Sequence, residues 1–68
     1  MDIRRTVGKN VRRFRAERGV SQEELAFDCD IHRTYISGVE RGIRNPTVTV
    51  LQKIAKALKV APGRLLDE

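Results

Sequence analysis

Apolar residues at Ile3, Val7, Val11 and Phe14 recur in steps of four, four and three. That period lines one face of an α-helix, whereas a strand would turn alternate residues to the same side. Helix one is predicted over this stretch and ends at Gly19, with Arg4, Arg5, Lys9, Arg12, Arg13 and Arg18 around its remaining surface. Nothing further along the chain alternates as a strand would. A chain of 68 residues has room for one small domain, 1–68. The chain has one cysteine, Cys29, and one histidine, His32, which can make neither an internal disulfide nor a four-ligand zinc site. The fold must therefore stand on packing alone, and a reducing, cytoplasmic setting is expected. With Phe14, Phe27 and Tyr35 as the aromatic residues and no Trp, the core should be aliphatic. The longest apolar run, Leu25-Ala26-Phe27, is far too short for a membrane span or a signal-peptide core, so a soluble protein with no membrane partner is expected.

Ser21-Gln22-Glu23-Glu24-Leu25 reads as a helix start, with Ser21 as N-cap and Glu24 as its capping-box partner. Helix two should bury Leu25, Ala26 and Cys29 and stop early, because Asp28-Cys29-Asp30 brings turn-favouring residues within two turns. Asp30 is expected at a left-handed turn position, which Asp tolerates better than most residues. Ile31, Ile36 and Val39 give helix three a narrow apolar face, while His32, Arg33, Thr34, Ser37, Gly38 and Arg41 point elsewhere. Gly42 suits its C-terminal cap, and Arg44-Asn45-Pro46 reads as loop. Thr47 can cap a fourth helix that turns Val48, Leu51, Ile54, Ala55 and Leu58 inward and Gln52, Lys53, Lys56 and Lys59 outward. Pro62 is placed to open a short fifth helix ending in Leu65 and Leu66. The expectation is a compact all-α domain of five helices.

Fourteen Lys and Arg against nine Asp and Glu give a net charge of +5 and suit a polyanionic partner. The charge is segregated. Residues 1–19 carry seven basic and two acidic groups, whereas residues 20–31 carry four acidic groups and no basic one. Glu23 and Glu24 are favoured there by the positive end of the helix dipole. A capped short helix, a tight turn and a second helix with a polar outer face, over about residues 21–41, form the arrangement of a helix-turn-helix. In that motif the second helix enters the DNA major groove.

Several segments carry a more specific likeness: Arg15-Ala16-Glu17-Arg18-Gly19, Ser21-Gln22-Glu23-Glu24-Leu25-Ala26, Tyr35-Ile36-Ser37-Gly38-Val39-Glu40-Arg41-Gly42, Asn45-Pro46-Thr47, and Leu51-Gln52-Lys53-Ile54-Ala55-Lys56-Ala57-Leu58. In this order they resemble the phage repressor and Cro type of helix-turn-helix, the xenobiotic-response-element (XRE) family, from about Val7 to Leu66. The resemblance implies a five-helix, lambda-repressor-like domain that binds operator DNA, commonly as a symmetric dimer. It implies a DNA-contacting and bracing role for Gln22, and base reading by Arg33, Thr34 and Gly38 with the helix starting at His32. Arg33 can bond guanine bidentately, and Thr34 can offer a hydroxyl to a base and a methyl to thymine. Gly38 can do neither, which shifts reading toward Tyr35 or Ser37. Arg33-Thr34-Tyr35 also resembles the recognition helix of restriction–modification controller proteins, although Tyr35 could simply rest its ring on the domain edge. Arg15 and Glu40 fall where the family has an ion pair joining helix one to the end of helix three. Arg41, Arg44 and Asn45 fall where phosphate contacts are expected.

These readings give a sequence-specific DNA-binding transcription regulator that reads an inverted-repeat operator as a homodimer. Its expected partners are double-stranded DNA and a second copy. No acid–base pair, activated nucleophile, phosphate loop or metal cluster is legible, so neither an enzyme nor a cofactor is expected. Val60 and Leu65 should finish the core and leave Ala61 and Leu66 for a dimer partner. With no ligand-binding domain after Glu68, control is expected through concentration, dimerisation or another protein. The rival readings are a restriction–modification controller, the antitoxin of a toxin–antitoxin pair, and a protein-interaction module that reads no DNA. The last should carry apolar groups on the outer face of helix three.

Overall fold

The computed structural model describes residues 2–68. Four α-helices follow one another, α1 (Ile3–Arg18), α2 (Gln22–Cys29), α3 (Arg33–Glu40) and α4 (Val48–Leu58), and a 3-10 helix spans Pro62–Leu66. Among the described residues there is no strand, and no helix is long and apolar enough to cross a membrane. The expected fifth α-helix is thus corrected to a 3-10 helix. Pro62 opens it without an N–H, and the Arg64 N–H reaches back three residues to the Ala61 carbonyl at 2.9 Å. The five residues from Pro62 to Leu66, ahead of the extended Asp67, complete only this tighter turn.

Local chemistry sets the helix ends. Asp2 accepts from the Arg4 N–H at 3.0 Å and Thr47 from the Val50 N–H at 3.2 Å. The capping box of α2 is complete: Ser21 Oγ accepts from the Glu24 N–H and Glu24 Oε1 from the Ser21 N–H, both at 3.0 Å. Each α-helix is followed by a left-handed residue, Gly19 (φ 67°), Asp30 (55°), Gly42 (75°) or Lys59 (60°). In each case the next amide bonds a carbonyl five residues back: Val20 to Arg15, Ile31 to Ala26, Ile43 to Gly38, and Val60 to Ala55. Four Schellman motifs therefore end the four helices and redirect the chain. Asp30 holds the position expected of it.

The core is Val7, Val11 and Phe14 of α1, Leu25, Ala26 and Cys29 of α2, Ile36 and Val39 of α3, Ile54, Ala55 and Leu58 of α4, and Leu65. It is aliphatic apart from one ring. Ile3 and Val48, both expected inward, are 44% and 83% exposed. Each opens its helix, and no other element covers that corner. Cys29 donates to the Lys53 carbonyl at 3.7 Å, and burial is the main cause that pushes its thiol pKa up to about 11, so it behaves as a small core residue.

Periodicity did not single out Gly8, yet it sets how closely α1 approaches α3. A Cβ built there would run into the carbonyl oxygen of Val39 and come within 2.7 Å of that of Glu40. Both obstacles are backbone. Gly8→Ala is expected to destabilise the fold by about 1–3 kcal/mol despite the better helix propensity of Ala. Urea unfolding midpoints check this, and an unchanged or raised midpoint would contradict the close approach.

Candidate nucleic-acid interface

The helix-turn-helix of α2 and α3 is fixed to α1 by one polar cluster. Arg15 Nε donates to Glu40 Oε2 at 2.7 Å and its Nη2 to Oε1 at 3.0 Å, while Nη1 donates to the Val20 carbonyl at 2.9 Å. The Arg15 side chain is 18% exposed and that of Glu40 only 4%. Gln22, at the first position of α2, donates its amide N–H to the same Oε1 at 3.1 Å. One carboxylate thus ties together the end of α3, the middle of α1 and the start of α2. The Glu40 hydrogen bond holds the Arg15 guanidinium above its usual pKa, outweighing the opposing effect of burial.

On this frame Arg33 and Thr34 stand exposed at the start of α3, with the half-buried Ser37 one turn on. The three side chains line one shallow surface depression. His32 precedes them as N-cap, exposed and without a side-chain capping bond. Arg41, Arg44 and Asn45 are exposed beyond the far end of the helix. Among the described residues Arg33, Arg41 and Arg44 make no ion pair, although Arg4, Arg13 and Arg64 of the solvated surface do, with Asp2, Glu17 and Asp67. Exposed pairs of that kind contribute little to stability. Ala61 and Leu66 belong to the C-terminal segment, at the start and the end of the 3-10 helix.

Gly38 is buried, and its place on the outer side of α3 is taken by Arg44. A Cβ on Gly38 would collide with Cγ of Arg44 and lie 3.4 Å from its Nε. The Arg44 N–H bonds the Gly38 carbonyl at 3.2 Å, and its guanidinium stands 5.7 Å from the centre of the Tyr35 ring. Tyr35 itself is half-buried against the core edge. A residue without a side chain therefore seats a loop arginine across the helix. No local pattern signals this, because the contact exists only once the turn at Gly42 folds residues 43 and 44 back over α3.

The helix-turn-helix family profile matches residues 11–65. The chain belongs to the helix-turn-helix family, in its repressor-like XRE branch. It is 52% identical over 67 residues to the control protein C.BamHI of Bacillus amyloliquefaciens, covering 97% of this chain and 83% of that protein. The crystal structure of the restriction–modification controller protein C.AhdI of Aeromonas hydrophila is similar with a TM-score of 0.88 at 40% identity, covering 91% of this chain and 94% of that one. The N-terminal DNA-binding domain of SinR from Bacillus subtilis gives a TM-score of 0.88 at 34% identity, covering 94% of both chains.

Proposed function

We propose that this chain is a sequence-specific DNA-binding transcription regulator that reads an inverted-repeat operator as a homodimer. The observation that carries the reading is the outer face of α3: Arg33, Thr34 and Ser37 share one polar surface, free of ion pairs among the described residues, on a helix braced from two sides. An interaction module would carry apolar groups on that face. In this reading Arg33 and Thr34 reach base edges and Ser37 and Tyr35 complete the face. Arg44, seated over Tyr35, reaches the duplex beside α3, while Gln22, His32, Arg41 and Asn45 approach phosphates. The acidic side of α2, with Glu23, Glu24 and Asp28 around the 86% exposed Phe27, is one a polyanion repels and so turns from the duplex.

Arg33→Ala is expected to lose about 1–3 kcal/mol of operator binding and to relax the preference at one base pair in each half-site. Selection from a random DNA pool with both proteins measures this. An inverted repeat should emerge for the wild type, and equal losses on selected and random DNA would move Arg33 to the phosphate-contacting group. The likeness to C.BamHI and C.AhdI favours a restriction–modification controller as the finer reading. A selected site upstream of the chain's own gene and of a neighbouring restriction gene would support that role.

A further inference from the structure

Asn10 lies on the buried face of α1 with Val7, Val11 and Phe14 and is itself only 6% exposed. An amide at such a position is unfavourable unless its polar atoms are bonded. Its Nδ2 donates to the carbonyl of Leu65 at 3.0 Å and to that of Asp67 at 2.6 Å. Two carbonyls converging on one atom require that atom to be the nitrogen, since an amide oxygen would face both as an acceptor. The two bonded residues flank Leu66, which is 43% exposed while Leu65 is wholly buried. The same segment is pinned again where Arg64 stands over the Phe14 ring, 5.3 Å from its centre. The backbone on both sides of an exposed leucine is thus tied to α1.

We propose that Asn10 is the positioning residue of the self-association surface, holding the backbone on either side of Leu66 so that this side chain meets a second copy of the chain. The proposal rests on the homodimer reading above and adds to it the group that pre-orders the interface. The occupant is a second copy because the rim of the patch is self-complementary. Arg64 and Asp67, exposed and paired with each other at 3.5 Å, put both signs of charge beside Leu66, so a two-fold axis running between them sets each sign against its opposite in the second copy. Docking a pre-ordered segment avoids the loss of backbone freedom that a loose tail would suffer on association.

The test is sedimentation equilibrium on the wild type, Asn10→Ala and Leu66→Asp, with circular dichroism to verify the fold and binding to a single DNA half-site as a second readout. Asn10→Ala should raise the dimer dissociation constant about tenfold, the equivalent of one residue's backbone freedom, and leave half-site affinity unchanged. If Asn10→Ala does not fold, Asn10→Ser, which keeps one donor, carries the same measurement. A variant at Asn10 that dimerises as tightly as the wild type, while Leu66→Asp does not, overturns the proposal and leaves the homodimer reading standing. A wild type that stays monomeric at tens of micromolar removes that reading, and the proposal with it.

Discussion

Replacing either Arg15 or Glu40 alone by Leu is expected to destabilise the domain by about 3–5 kcal/mol, and replacing both to recover much of that loss. The asymmetry follows from burial. With the Glu40 side chain 4% exposed, removing Arg15 leaves a carboxylate facing Gln22 alone, inside a site that water barely reaches. Removing Glu40 strands a guanidinium that retains only the Val20 carbonyl. Two leucines strand neither charge. A double-mutant cycle by urea unfolding measures the coupling, and additive losses would show that the two side chains do not depend on each other. Since the folded pKa of Arg15 is raised above an already high ordinary value, its contribution is complete below that ordinary value. It is lost only as pH climbs past the folded one, so no titration of Arg15 should appear across the neutral range. The pair's use is orientation: Glu40 ends α3, and a shift there would move Arg33 and Thr34 relative to α1.

Leu66→Asp should lower operator affinity roughly 10²–10⁴-fold, the range over which linking two binding modules raises avidity, while leaving the monomer fold intact. The physical reason is the small reach of α3. Eight residues read a few base pairs, too few to single out one site among ~10⁶ or more genomic competitors, so two half-sites are required. A two-fold dimer would set its recognition helices roughly 34–36 Å apart, one turn of the duplex. Leu65 lies inside, whereas Ala61 and Leu66 are exposed and so accessible to a second copy. Titrating full and half operators with the variant checks the prediction. Equal affinity of wild type and variant for the full operator would remove the C-terminal end from the interface.

The sequence by itself determined the elements. Caps such as Ser21 with Glu24, turn residues such as Gly19, Asp30 and Gly42, and apolar stripes such as Val7-Val11-Phe14 act over four or five residues, and that range is fully visible in a linear chain. The face of α3 that carries Arg33, Thr34 and Ser37 was legible for the same reason, since the apolar side of a helix defines its opposite. Stripes overreached at helix starts, where Ile3 and Val48 follow the period yet stay 44% and 83% exposed. Tertiary structure alone decided the contacts between elements: Gly8 under the last carbonyls of α3, Gly38 under Arg44, Gln22 turned onto Glu40, and Asn10 reaching 55 and 57 residues ahead to the C-terminal carbonyls. Apart from the Gly38–Arg44 contact, which the turn at Gly42 makes, each depends on the distance and angle at which two helical elements pack. Those are set by the packing of the whole core together, and no window of the chain contains them.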